Sequence, residues 1–396
     1  MGWPGTVYRV GECTTPALHW LVRAGPPSDL SNWQRSLLHP CKSLCSLLEL
    51  KLSSLPSVTV DCACGSAGTP GALSSRSFAC LPLNLINLHK QGSLNDRVNR
   101  RCGSEHVQKL RSLPEVYNGT ANFNQLSASF DGDGDRVVFY RQREEGTTAG
   151  AAAAHHLDLF DGDRICCLVT KYVTDLASAI GVQPCRVGAV QTAYSNGAST
   201  MFLKNLGAEV SSVKTGVRNL HEKAETYDIG VYYEANGHGT VVFGQEYMKR
   251  VSSCDLNDVG RNKLNVLRNV KNISNDLVGC AISTLLTIMV IMSSENFTVE
   301  DWIDMYDELD TITTKVSVRD KSLLVCNHDD TKVLSPVGMQ DDIDEAVRKR
   351  GRGRCFVRKS DTEDVVRVFA EGDYCKDISK DVELIVAKWL GSRSKL

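Results

Sequence analysis

Residues 186–213 read RVGAVQTAYSNGASTMFLKNLGAEVSSV, and their pattern sets the fold class. Arg186 to Val190 is a short apolar strand candidate, Ala198 to Leu206 is helix-like, and Glu209 to Val213 is strand-like again. A strand, a helix and a second strand in so short a span predict a parallel pair joined by a crossover helix. The alternation extends outward. Ile165 to Ile180 has the spacing of an amphipathic helix, and Ile229 to Tyr233 is a further strand candidate. The expectation is an α/β protein with mixed or parallel sheets flanked by helices. From about Lys315 the pattern becomes α+β. Strand-like runs at Cys355 to Arg358 and Val365 to Phe369 lie among helical runs at Gln340 to Arg350 and Asp377 to Leu390.

Toward the N-terminus, Val58 to Asp61 and Val137 to Tyr140 read as strands and Leu37 to Leu52 as a helix. The first forty-odd residues look irregular, with Gly25-Pro26-Pro27 breaking any helix. A Gly/Ala-rich run between Thr147 and His156 looks like a loop insertion. The apolar stretch Leu277 to Met292 is interrupted by Gly279, Ser283, Thr284 and Thr287. It is also shorter than the roughly 20 residues a membrane span needs, so a helix buried within a domain is expected.

The 396 residues are 42% hydrophobic and 23% charged, with a formal net charge of −2. That balance fits a multidomain globular protein and gives no electrostatic reason for nucleic-acid or membrane binding. The 15 cysteines include no Cys-x-x-Cys pair, which argues against zinc. No basic segment followed by an apolar one opens the chain, so the thiols read as reduced and the location as cytoplasmic.

Three loops carry candidate chemistry. In Asp131-Gly132-Asp133-Gly134-Asp135-Arg136, three carboxylates recur at every second position, spaced by glycine. Such a loop can curl so that the acids converge on one hard divalent cation, and magnesium fits. An EF-hand is excluded, since its sixth and twelfth positions would hold Arg136 and Gln142 in place of Gly and Glu. The second loop is Glu234-Ala235-Asn236-Gly237-His238-Gly239, directly after the strand candidate Ile229 to Tyr233. Glu can accept from vicinal hydroxyls and Asn both donates and accepts, a set suited to a sugar ring; a plain polar turn fits equally well. The third is Arg358-Lys359-Ser360-Asp361-Thr362-Glu363-Asp364, followed by Arg367. Two arginines, hydroxyls and loop amides suit a phosphate. Ser360-x-x-Glu363 also matches a helix capping box, although the β-rich run after it disfavours a helix.

These loops, in this order, resemble the parts of the α-D-phosphohexomutase superfamily. The Glu-Ala-Asn-Gly-His-Gly form is similar to its phosphoacetylglucosamine mutase branch. So are Gln191 to Gly197, Thr215 to Ala224, Thr362 to Glu371, and upstream Thr14 to His19 and Val60 to Ala63. The resemblance implies a multidomain phosphohexomutase architecture. Residues 1–50 would be a remnant of a first domain, 51–158 a second domain with the metal loop, 159–314 a third with the sugar loop, and 315–396 a C-terminal phosphate-binding domain.

It also implies interconversion of N-acetylglucosamine 6-phosphate and 1-phosphate through a phosphoserine and a bisphosphate, on the route to UDP-N-acetylglucosamine. Mg2+ would sit on Asp131, Asp133 and Asp135. Glu234, Ala235 and Asn236 would hold the sugar, and Arg358, Lys359, Ser360, Asp361, Thr362 and Arg367 its phosphate. Arg218, His221 and Lys223 would lie near the site or on a solvated helix face. Two features depart from the pattern. The family's Thr-Ala-Ser-His-Asn-Pro-like phosphoserine segment is absent, so this chain alone is expected to be inactive, and Asp361 replaces a usual glycine. A non-catalytic phosphosugar- or partner-binding relative is the alternative, and another hexose-phosphate mutase a third.

Overall fold

A computed structural model describes residues 8–89, 97–117, 125–143, 157–360 and 363–391. The Gly/Ala-rich run, Asp361 and Thr362 lie outside the described residues. The chain divides into two compact units, one of Met1–Val187 with Ala224–Asp304, the other of Gly188–Lys223 with Met305–Leu396.

In the first unit the N-terminal region is helical, contrary to the irregular stretch read from its prolines. Thr14 caps Thr15–Ala24 by accepting from the Ala17 amide, and Gly25 ends that helix. Asp29 and Asn32 then cap each other's ends of the first turn of Leu30–Leu47. The Gly-Pro-Pro turn separates two helices and leaves both intact. The second helix starts seven residues earlier than its apolar pattern indicates, because the Asp29 cap initiates it. Its buried face carries Trp33, Leu37, Leu38, Cys41, Leu44 and Cys45 at helical spacing.

The five-stranded sheet of this unit runs Leu83–Ile86, Val58–Asp61, Leu126–Phe130, Val137–Gln142, Leu157–Phe160. The first three strands are parallel and the last two antiparallel. Leu126–Phe130 is buried at every position, as a central strand covered on both faces should be. Its hairpin to Val137–Gln142 is the aspartate-rich loop. Two helices pack nearby in sequence order. Gly162–Ile180 begins at the Asp161 cap and ends on left-handed Gly181, and Ala281–Ser294 is buried from Ala281 through Met292. The latter is the interior helix expected from Leu277 to Met292, starting later at the Cys280 cap. No helix among the described residues is long and apolar enough to cross a membrane.

Ile229–Tyr233 pairs antiparallel with Gly239–Phe243, a partner strand the alternation did not reveal. The intervening loop is too short for a crossover helix, so it closes as a hairpin. In the second unit, Gly188 to Thr192 pairs in parallel with Glu209–Val213, and Gly197–Asn205 is the crossover helix. The C-terminal part is α+β. Its antiparallel sheet is ordered Thr311–Ser317, Val365–Gly372, Gly353–Lys359. One face of that sheet, with Val357, Val366, Val368 and Ala370, packs on Ile343, Ile378, Val382 and Val386 of helices Met339–Arg350 and Cys375–Leu390. The other face carries Phe356 and Phe369, against which Ala193 and Tyr194 pack.

Candidate active site

Asp131 organises the loop that bears its name in the sequence. Its Oδ1 accepts from the amides of Gly134, Asp135 and Arg136 at 3.0, 3.1 and 3.2 Å, curling the backbone around the carboxylate. Gly134 takes the left-handed φ of +75° that this curl requires. The loop is fastened from outside as well. The Thr15 amide donates to the Asp133 carbonyl at 2.9 Å and its hydroxyl to Asp133 Oδ2 at 2.7 Å, while the Ala281 amide donates to the Gly134 carbonyl.

Carboxylate oxygens of Asp131, Asp133 and Asp135 all come within 4.8 Å of one another. Asp131 and Asp135 are buried. Burial, followed by repulsion from Asp135 and Asp133, pushes the Asp131 carboxyl up to about 8. Asp135 Oδ1 is buried and accepts no hydrogen bond; the Arg136 Nε stands 3.5 Å away. Crowded carboxylates with an orphaned buried oxygen are what a hard dication relieves, so these residues fit a divalent metal.

The second loop closes on the first. Gly237 donates to the Glu234 carbonyl at 2.8 Å, Glu234 to the His238 carbonyl at 2.9 Å, and the His238 amide to Asn236 Oδ1 at 2.9 Å. Asn236 Nδ2 reaches Glu234 Oε2 at 3.3 Å, which sets the two proposed sugar-binding side chains against each other. The Ala235 carbonyl accepts from Gly162 and the Gly237 carbonyl from Val137, and a β-bridge joins Arg136 to His238. The aspartate loop and the Glu234–Gly239 turn are therefore one hydrogen-bonded assembly.

His238 is the residue whose position the sequence reading passed over. Its Nδ1 lies 3.6 Å from Asp135 Oδ2, its Nε2 is buried without a hydrogen-bond partner, and burial lowers its basicity. Its place in a Gly-flanked turn was the available signal, but nothing in the spacing tied it to residue 135.

The third loop belongs to the second unit. Arg358 and Arg367 are direct cross-strand neighbours, and Lys315 stands opposite Arg367 on the next strand. Glu363 answers Lys315 at 2.9 Å and Arg367 at 3.3 Å. Ser360 is buried, and its Oγ accepts from the Glu363 amide at 3.3 Å. That contact has the form of a cap, yet Val365–Gly372 after it is a strand. Lys321 Nζ supports the turn by donating to the Ser360 and Glu363 carbonyls. Lys359 pairs with Val366, so strand alternation puts it on the opposite face from Arg358. Lys315, in contrast, joins the arginine row through register alone. Arg218 is exposed and paired with Glu222 one helical turn on, a solvated helix-face arrangement.

The chain is similar to proteins of known family. Residues 161–297 match the family profile described as phosphoacetylglucosamine mutase AMG1, domain III. A phosphoacetylglucosamine mutase of Arabidopsis thaliana is 34% identical over 97% of this chain and 71% of its own length. The Homo sapiens phosphoacetylglucosamine mutase is 34% identical over 93% of this chain and 67% of its own. Among solved structures, the Aspergillus fumigatus N-acetylphosphoglucosamine mutase in complex with GlcNAc-6P and magnesium superposes with a TM-score of 0.84. It is 30% identical, covering 96% of this chain and 71% of that one. An N-acetylglucosamine-phosphate mutase in its substrate complex gives 0.82 at 31% identity, over 95% and 70% of the two chains. With agreement that extends along nearly the whole chain and through both units, this protein belongs to the phosphoacetylglucosamine mutase family of the α-D-phosphohexomutase superfamily.

Proposed function

We propose that this chain carries the metal, sugar and phosphate sites of an enzyme that interconverts N-acetylglucosamine 6-phosphate and N-acetylglucosamine 1-phosphate in the cytoplasm. The observation that carries the reading is the aspartate cluster joined to the Glu234–Gly239 turn through the Arg136–His238 bridge, which supports a cation site beside a sugar site. A Mg2+ ion on Asp131, Asp133 and Asp135 would supply positive charge against the oxygens of a transferring phosphoryl group. Glu234 accepts from two ring hydroxyls, and Asn236 donates to a third while its carbonyl keeps the turn closed. Because a vicinal diol offers the same pattern from either end, the pair can hold the sugar in both orientations the reaction needs.

Arg358 and Arg367, with Lys315 beside them, bind the phosphate that is not reacting; Ser360, Asp361 and Thr362 complete that loop. In this reading, segment 1–50 leads into the metal loop of 51–158, 159–314 carries the sugar loop and 315–396 the phosphate loop. The family resemblance adds a phosphoserine and a bisphosphate intermediate. No Thr-Ala-Ser-His-Asn-Pro string occurs in these 396 residues, so the polypeptide of this sequence is proposed to bind phosphosugar without turning it over.

Titration calorimetry with N-acetylglucosamine 6-phosphate in the presence of Mg2+ tests the site. Saturable binding is expected, weakened tenfold or so by Glu234→Ala through lost charged hydrogen bonds. Binding of inorganic phosphate should be unaffected by that change, and equal loss for both ligands would refute the assignment of Glu234 to the sugar. Robust conversion to the 1-phosphate by this chain alone would overturn the proposal that it lacks turnover.

A further inference from the structure

On the open face of the C-terminal sheet, register sets Lys315, Arg367 and Arg358 side by side across three strands. Like charges directly opposite one another oppose sheet formation, and a long guanidinium side chain has many rotamers in which to escape them. What faces Arg358 is an aromatic ring. Phe356, two residues earlier on the same face, stacks on its cross-strand partner Phe369, with centroids 4.9 Å apart at 28°. Tyr194, on the loop after Val187–Thr192, stands edge-on to both, 5.0 Å from Phe356 and 5.5 Å from Phe369. The Arg358 guanidinium carbon then lies 5.8 Å from the Tyr194 ring centroid, within the range where a cation is drawn to the ring face.

The ring has little freedom to leave. The carbonyls on either side of it, Ala193 and Ser195, both accept from the guanidinium of Arg354. Arg354 is itself held bidentate by Glu371, at 3.1 and 2.9 Å. Both Glu371 oxygens also accept from the Gly197 amide at 3.1 Å, so the loop is pinned on both sides of Tyr194. Glu371 is 2% exposed while the Arg354 side chain is 37% exposed, so the clamp is a half-buried, bidentate charge pair.

We infer that Tyr194 is a positioning residue for phosphate recognition. Its clamped ring holds the Arg358 guanidinium on the sheet face beside Arg367, ready for a bidentate contact with the substrate's phosphate. The inference rests on the phosphate reading of the Arg358–Arg367 loop. It gives a role to the Gln191–Gly197 segment that the reaction itself does not.

The test is a double-mutant cycle on N-acetylglucosamine 6-phosphate affinity, measured by calorimetry on the full chain. Tyr194→Leu should weaken binding about three- to tenfold, the scale of one cation–π contact. Tyr194→Phe, which keeps the ring, should stay within about twofold. In an Arg358→Ala background, Tyr194→Leu should have no further effect. Circular dichroism and the thermal midpoint establish that each variant is folded. If Tyr194→Leu costs as much without Arg358 as with it, or if Tyr194→Phe loses as much as Tyr194→Leu, the positioning role is wrong. Should Arg358→Ala weaken binding while Tyr194→Leu does not, the inference falls and the phosphate reading stands. An Arg358→Ala variant with unchanged affinity would remove both.

Discussion

Asp131 is held in its loop by three amide hydrogen bonds and opposed by the two carboxylates beside it. With its carboxyl pushed up to about 8, the folded, metal-free chain keeps a proton that the unfolded chain releases near pH 4. The folded state thus binds more protons across that window, and stability of the metal-free protein is expected to fall as pH rises from about 4 toward about 8. The cation competes with that proton, so the Mg2+-induced rise in thermal midpoint should be larger at pH 8 than at pH 5. Asp131→Asn preserves the acceptor for the three amides and removes the charge. It should raise the metal-free midpoint at pH 8 and abolish the Mg2+ gain; a gain that survives would place the ion elsewhere. Asp61 gives a contrasting case. It is fully buried and accepts from the amides of Ala63 and Gly103, Asn87 Nδ2 and Ser129 Oγ. Asp61→Ala strands these donors and should cost about 2–4 kcal/mol in urea denaturation. The identities of these residues were open to reading. That Asp61 is a satisfied structural carboxylate and Asp131 a strained one was not, because the difference lies in partners distant along the chain.

At the scale of elements, the hairpin that carries the proposed sugar loop depends on Gly237. Its φ is +85°, and a Cβ there would collide with the carbonyl of Val137 on the neighbouring strand. Gly207 has nearly the same φ, +86°, with open space around it. Gly207→Ala should cost about 1 kcal/mol from backbone strain alone. Gly237→Ala should cost about 2–4 kcal/mol, since overpacking adds to the strain, and should reduce Mg2+ binding because the displaced Val137 directly follows the aspartate loop. Equal costs would mean that the close approach of the two strands is not needed. Strands and helices with strong periodicity, such as Ile165 to Ile180 and Ile229 to Tyr233, were legible from the chain. Thr15–Ala24 was obscured by the prolines around it, and Gly239–Phe243 by its directness after the turn; each is specified by a cap or a partner strand more than by its own composition.

For the whole molecule, the aspartate cluster proposed to hold the metal and the arginines proposed to hold the phosphate fall in different compact units. Hydrogen exchange read by mass spectrometry should reflect that division. Mg2+ alone should slow exchange in residues 126–142 and 229–243, where the cluster and its supporting turn lie, and leave 353–372 unchanged. Inorganic phosphate alone should do the reverse. Protection of both regions by Mg2+ alone would contradict independent sites.

The amino-acid sequence by itself determined the chemistry available here: glycine-spaced aspartates, a Glu–Asn turn, an arginine-rich loop, and the strand–helix alternation that makes an α/β protein. Those features are local, set by side-chain type and by backbone preferences over a few residues. Tertiary structure alone decided that His238 stands beside Asp135, that Lys315 joins the arginine row while Lys359 leaves it, and that Tyr194 meets Arg358. Each depends on strand register or on loop docking, which arise from cooperative pairing between segments tens to hundreds of residues apart. No spacing within a single segment encodes such pairing.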